Sequence, residues 1–271
     1  MGGKPKTDTA VGFPPPLLGA ESYRLPILGE TETWLALEKP GGLAVREHPW
    51  HAGPENLDTA LNLQLAGGKP ELLRRGAECF GSVYYLDSEA RGVALFGKTR
   101  TAIADLRERC GSGDLSFSFR FPSADCTEAT RLESDAPLLP HRRKAKMIPS
   151  TAKGKKASTA FRMVARSAGR AILWEARTLF PRPHQIRAHA ALCGIPVVGD
   201  ALYGGPPIPV ISRSRAARDT AGPDKPLVST FPLLLREVES IAADGDLPPL
   251  RSEGGKPWVA LSRRLGLEPT H

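Results

Sequence analysis

Apolar positions along the chain recur with two periods, and the switching between them outlines the fold. Leu115-Ser116-Phe117-Ser118-Phe119-Arg120-Phe121 alternates with period two and predicts a strand with its aromatic rings on one face. Shorter apolar runs predict strands over residues 34–37, 83–86 and 93–96. The first of these ends at the turn composition Lys39-Pro40-Gly41-Gly42 and resumes over 43–45, which reads as a hairpin-like entry to a sheet. Residues 157–166 and 171–178 are two further strand-like stretches. Helical spacing marks Leu57, Ala60, Leu61 and Leu65, with Gly67-Gly68 and Pro70 as the stop, and it recurs over 101–109 and 185–193. Strands and helices in this irregular order, without repeating βαβ units, predict an α+β domain on a mixed, mainly antiparallel sheet with flanking helices and loops.

The ends read differently from the middle. Residues 1–22 are rich in Gly, Pro and Lys and hold Pro14-Pro15-Pro16, so an extended, flexible leader is expected. Residues 23–205 carry the periodic segments and form the expected catalytic domain. Residues 206–271 are punctuated by proline and are expected to pack on that domain as an extension, with only 233–242 helical.

A chain of 271 residues with 41% apolar content suits one sizeable core. The formal charge of +8 favours an anionic partner. Much of that charge is concentrated between His141 and Lys156, where Arg142, Arg143, Lys144, Lys146, Lys153, Lys155 and Lys156 occur with no acid among them. Such a run neutralises several phosphates, and its plainer role is a solvated loop. Four widely spaced cysteines without a Cys-x-x-Cys pair predict reduced thiols and no zinc site. His48-Pro49-Trp50-His51, His184 and His189 lack partners at ligand spacing, so no metal is expected. No apolar run approaches the roughly 20 residues of a membrane span, and a soluble cytoplasmic monomer is the expectation. Dinucleotide and P-loop glycine motifs are missing, as is a Gly-x-Ser-x-Gly nucleophile elbow.

Two runs carry candidate chemistry. Tyr84-Tyr85-Leu86-Asp87-Ser88-Glu89-Ala90-Arg91-Gly92 seats a carboxylate between an apolar segment and a glycine turn. About a hundred residues later, Arg182-Pro183-His184-Gln185-Ile186-Arg187-Ala188-His189 supplies a basic wall, followed by Pro196-Val197-Val198-Gly199-Asp200-Ala201-Leu202-Tyr203-Gly204. An acidic centre beside a polyanion-binding surface is the combined reading.

These runs, in order, make residues 27–205 resemble the catalytic domain of RluA-type pseudouridine synthases. Lys39-Pro40-Gly41-Gly42-Leu43 is similar to the family's Lys-Pro-Ala-Gly-Leu, and Leu86-Asp87 with Gly92-Val93-Ala94-Leu95-Phe96 to its Leu-Asp-x-x-Thr-Ser-Gly-Leu-Leu-Leu-Phe. Lys146-Met147 fits the family's Lys-Met, and His184-Gln185-Ile186-Arg187-Ala188-His189 resembles His-Gln-Ile-Arg-Val-His. The resemblance implies an RNA isomerase that needs no cofactor or metal and acts on structured RNA, ribosomal or transfer. It makes Asp87 the essential carboxylate, either attacking the sugar C1′ or removing the C2′ proton. It implies Arg187 as the partner that keeps Asp87 ionised, and Phe117 in place of the family's tyrosine beside the base. Tyr85, Arg91, Arg142, Arg143, Lys144, Lys146, Arg182, His184 and Gln185 become the expected RNA contacts, Gln185 also hydrogen-bonding within its loop. Tyr84-Tyr85 stands where the family has His-Arg, Ala90-Arg91 replaces Thr-Ser, Pro181 and Pro183 replace Gly and Thr, and the family's Leu-His-Ala strand is not evident in the tail. These departures leave a second reading open, a degenerate RNA-binding protein that keeps the fold without turnover.

Overall fold

The computed structural model describes residues 9–50, 55–168, 170–208, 231–241 and 247–267. Its strands are β1 (Ala10–Phe13), β2 (Tyr23–Glu30), β3 (Trp34–Lys39), β4 (Gly81–Ser82), β5 (Arg91–Gly97), β6 (Leu115–Ala124), β7 (Arg131–Ser134), β8 (Leu138–Pro140), β9 (Met147–Pro149), β10 (Thr159–Ser167), β11 (Ala171–Thr178), β12 (Leu234–Ser240) and β13 (Leu250–Arg251). The helices are α1 (Leu57–Ala66), α2 (Pro70–Leu73), α3 (Arg100–Ser112), α4 (Gln185–Leu192) and α5 (Gly255–Leu265), with a 3₁₀ turn at Ala201–Tyr203. The path β1-β2-β3-β5-β12-β6-β11-β10-β7 runs through one sheet of eleven strands, with β4 pairing β5 and β13 pairing β12. Among the described residues only the β5–β12 pair of strands is parallel, so the sheet is mixed and mainly antiparallel, as the pattern predicts.

Local chemistry sets the helices. Asn56 caps α1 by accepting from Thr59 N–H at 2.9 Å, and Thr99 caps α3 by accepting from Ala102 N–H at 3.1 Å. Gly113, in the left-handed region, closes α3. On one sheet face Phe117, Phe121, Phe161 and Trp174 join a single large core with Leu35, Leu37 and Phe96. On the other, α5 covers Ala171, Leu173 and Leu234 with Trp258, Leu261 and Leu265. Burying each such side chain contributes roughly 1.5–3 kcal/mol, so α5 is fixed to the sheet by its apolar stripe.

Four expectations about the chain's organisation are corrected. The segment read as a flexible leader includes an edge strand from residue 10 onward, with Val11 and Phe13 fully buried; residues 1–8 of that leader lie outside the described residues. Residues 83–86 are a buried loop and not a strand: they are apolar because they are enclosed, and beyond the Val83 N–H bond to Leu95 O at 3.0 Å the link to β5 is made by Tyr84 Oη, which donates to Val93 O at 2.8 Å. The stretch expected to be helical near 233–242 is strand β12. It lies in the centre of the sheet between β5 and β6, so the proline-rich tail supplies part of the domain itself. That insertion explains Gly92, which has φ +118° and would place a Cβ 2.1 Å from Leu235 O. The hairpin expected at 34–45 is also absent: β3 pairs with β2 and β5, and 43–45 contributes only an isolated bridge from Ala44 to Asn56.

Candidate active site

Asp87 occupies the loop between β4 and β5, held from below by the turn that follows β3. Lys39 Nζ, fully buried, donates to the carbonyls of Ala90, Leu43, Ser88 and Pro40 at 2.5, 2.7, 2.9 and 3.1 Å. Gly42 N–H donates to Ser88 O at 2.7 Å from a backbone with φ +94°, a conformation glycine adopts without strain. One ammonium and one glycine thus join the Lys39-Pro40-Gly41-Gly42 turn to the carboxylate loop. Burial is the largest influence on Lys39 and lowers its pKa to about 7, against the nearby charges of Asp87 and Glu89.

The opposite wall comes from α4 and the residues before it. His184, at φ +53°, points its backbone N–H at Asp87 Oδ1, 3.0 Å away. A left-handed non-glycine residue costs about 1–3 kcal/mol, and here it aims a donor at a buried carboxylate. Arg187 Nη1 stands 3.7 Å from Asp87 Oδ2, outside hydrogen-bond range, and 3.5 Å from Glu89 Oε1. The tighter partner of Arg187 is Asp200: Nε and Nη2 reach its two oxygens at 2.7 and 3.0 Å, a bidentate fork. Phe231 and Tyr203 lie against the guanidinium at 4.4 and 5.2 Å from their ring centroids. Three carboxylates therefore surround one buried arginine, with Asp200 fixing it and Asp87 and Glu89 sharing its remaining edge.

Arg187 lowers the Asp87 pKa, in the expected direction, but burial outweighs it. Burial is the largest influence and raises the Asp87 pKa to about 6; Arg187 and the His184 N–H oppose it, and Glu89 and Asp200 reinforce it. A carboxylate near 6 is still mostly ionised at neutral pH, and it is poorly solvated, which suits a base or nucleophile. Glu89 goes the other way: burial would raise it, but Arg187 and its hydrogen bonds prevail and hold it below its ordinary value. Burial, helped by the Arg187 charge, pushes His184 down to about 3, so its imidazole is neutral.

The sequence-predicted residues fall into three groups. Tyr85 and Arg182 line the same pocket as Asp87, together with Leu86, Pro181, Ile186 and Leu233. Tyr85 also lies 4.8 Å from the His48 ring, which in turn stands 4.8 Å from Trp50, and Trp50 is 4.8 Å from the His184 ring. An aromatic rim therefore borders the carboxylate. The second group lies outside the pocket: Arg142, Arg143 and Lys144 are exposed on the connection between β8 and β9, and Lys146 reaches Tyr203.

The third group has its side chains engaged within the protein. Phe117 is fully buried, packed edge-on to Tyr84 at 4.8 Å, and belongs to the core. Phe119, on the same strand face one pair further on, lines the pocket in its place. Arg91 is buried and donates to Gly254 O at 3.0 Å, tying β5 to the start of α5. Gln185 lines the Asp87 pocket, but its polar atoms are spent internally: its amide donates to Ser158 O, Thr178 Oγ1 and Thr159 Oγ1 at 2.9, 3.0 and 3.1 Å, and its oxygen accepts from Arg182 N–H. His184 acts through its backbone, with its ring enclosed. His189 is a fully buried strut between Thr159 and Ala136, both at 2.9 Å. No cluster of metal-ligating side chains occurs among the described residues.

Sequence reasoning missed Asp200, Glu89 and Phe119 as members of the site. Asp200 had a signal: an acid directly after Val197-Val198-Gly199 sits in an apolar setting, and a buried acid needs a cation. The pocket beside Asp87 has about 20 Å³ of room, enough for one water.

No protein-family model matches the sequence. The chain is similar to ribosomal large subunit pseudouridine synthase D of Xanthomonas campestris pv. campestris, 31% identical over 181 residues, 67% of this chain and 52% of that protein. It is 32% identical over 183 residues to the synthase of the same name from Xylella fastidiosa, 67% of this chain and 52% of that protein. The chain thus spans about half the length of the curated relatives it matches. Among solved structures, human RNA pseudouridylate synthase domain containing 4 superposes with a TM-score of 0.67 at 17% identity, covering 90% of this chain and 94% of that one. Human RNA pseudouridylate synthase domain containing 1 gives 0.60 at 14% identity, over 90% and 96%. At that identity the likeness establishes the fold, α+β and pseudouridine synthase-like. With sequence similarity over two thirds of its length and this fold beneath it, the chain belongs to the RluA-type pseudouridine synthase family.

Proposed function

We propose that this protein isomerises uridine to pseudouridine in structured RNA, with ribosomal RNA as the substrate class and Asp87 as the essential carboxylate. The observation that carries the reading is Asp87 itself, buried under an aromatic rim, with one oxygen held by the His184 N–H and the other facing Arg187. The relatives named for the large ribosomal subunit support ribosomal RNA over transfer RNA. In the reaction the N-glycosidic bond breaks, the uracil turns, and the sugar carbon bonds to a ring carbon. Asp87 attacks C1′ or removes the C2′ proton, and both routes need it ionised and close to the sugar. Arg187, fixed by Asp200, supplies the positive charge that steadies Asp87 as an anion. Tyr85 and Phe119 offer ring faces to an extruded base, for which stacking is worth about 1–3 kcal/mol. Arg182 and the exposed cations of the β8–β9 connection hold backbone phosphate. The protein works as a cytoplasmic monomer without a metal or cofactor.

The test is a map of pseudouridines across total RNA from cells with and without the gene, with complementation by wild type and Asp87→Asn. A position that disappears on deletion and returns only with wild type establishes activity and substrate together. Restoration by Asp87→Asn, or an unchanged map, sinks the proposal.

A further inference from the structure

Between the β8–β9 hairpin and α4 lies a second concavity, separate from the Asp87 pocket, with a volume of about 370 Å³. That falls within the roughly 300–1,000 Å³ of pockets that take small organic ligands. Its walls are apolar: Met147, Ile148, Ala188, Leu192 and Leu202 surround the ring of Tyr203. Leu192 and Leu202 are 49% and 37% exposed, large apolar side chains left facing water. The rim is basic. Lys146 Nζ stands 5.1 Å from the Tyr203 centroid and 3.4 Å from Leu202 O, and Arg142, Arg143 and Lys144 are exposed just before it.

Tyr203 joins this groove to the carboxylate site. Its hydroxyl accepts from Met147 N–H at 2.7 Å and lies 3.2 Å from His184 Nδ1, while its ring also faces Arg187. An apolar floor with an aromatic ring, lined by no acid among the described residues and bordered by cations, complements a nucleotide: the base meets the floor and the phosphate meets the rim. Only an unstacked base offers its face in this way, because a paired one presents an edge. The geometry points to a subsite for an unpaired nucleotide of the RNA, flanking the one whose uridine enters the Asp87 pocket. This inference rests on the RNA-modifying reading above. Holding a neighbouring base at Tyr203 would register the strand relative to His184 and Arg187, so the groove contributes to choosing which uridine is presented.

Photo-cross-linking and binding test it, using a single-stranded decauridylate probe carrying 4-thiouridine. Cross-links should map to Tyr203 or Met147, and Leu192→Glu should weaken binding roughly tenfold. Leu63→Glu, an equal change at an exposed leucine of α1 outside the groove, should leave binding within twofold. Lys146→Met, which keeps the stem and removes the charge, should lower the salt slope of binding by about 0.7. If Leu192→Glu binds as wild type does, or if Leu63→Glu weakens binding equally, the subsite is overturned while the pseudouridine map can still support the reaction. A wild-type protein that neither binds the probe nor changes the map overturns both.

Discussion

The buried charges around Asp87 and the exposed cations of residues 141–156 use similar residue types to opposite effect. Arg187, Asp87, Asp200 and Lys39 are each no more than 6% exposed, and each is held by named partners at short range. Arg142, Arg143 and Lys144 face water with no acid beside them in the sequence. A charge out of water is tolerated only in a fixed geometry, so removing one member of a buried ion pair strands its partner; a charge in water is weak singly and effective in number. Arg91 belongs to the buried kind, although the family resemblance had placed it among the RNA contacts.

The largest effect should come from breaking the fork. Asp200→Ala leaves Arg187 buried without its bidentate partner, and removing one member of such a pair costs about 3–5 kcal/mol. Urea unfolding should show a clearly lower midpoint, and product formation should fall with it. Arg143→Ala in the same experiment should shift stability by less than about 0.5 kcal/mol. Equal stabilities for the two variants would dissolve the contrast between buried and exposed charge.

That contrast also explains what could be read in advance. The β6 alternation, the α1 and α4 spacing and the order of the motifs were legible because each is local. Phe117 and Phe119 share one face of β6, so alternation alone could not say which ring reaches Asp87; only the pairing of β6 with β11 and β12 decides it. Strand β12 was unreadable for a related reason. Leu233-Leu234-Leu235 resembles a helical stripe, but it is apolar because it is sandwiched between β5 and β6, elements more than a hundred residues earlier. Strand β2 carries Pro26, which argues against a strand interior, and it is tolerated near the sheet edge opposite Ala10. Asp87 was found through its motif, while its raised pKa comes first from burial, with Glu89 and Asp200 reinforcing it, and burial and the approach of Asp200 are set only by the fold.

A smaller effect separates the two carboxylates that share Arg187. With Asp87 at about 6, the rate of pseudouridine formation should rise with pH through an acid limb near that value. Glu89→Gln removes a negative charge that raises Asp87, so the limb should move to lower pH; a limb that stays fixed would mean Glu89 does not act on Asp87. Stability has a matching sign. The folded state binds the Asp87 proton more tightly than the unfolded chain does, so this group's contribution falls as pH rises from about 3.8 to about 6. Asp87→Asn should therefore gain stability relative to wild type across that interval. Lys39 works in the reverse sense: its lowered pKa makes its contribution rise between about 7 and 10.5.

The smallest effects belong to the exposed run, and they sharpen the comparison by accumulating. Neutralising Arg142, Arg143 and Lys144 one at a time to Gln should weaken RNA binding by a few-fold per step and lower the salt slope by about 0.7 for each phosphate no longer neutralised. Each side chain is solvated before and after the change, so unfolding midpoints should stay put. The acid limb near pH 6 should also be unmoved, because these charges act on Asp87 only through water and salt, which screen beyond about 8–10 Å. A single substitution that abolished binding would show that one of these cations sits in a fixed geometry, as the buried arginines do; equal steps would show a surface that holds phosphate by its density of charge alone.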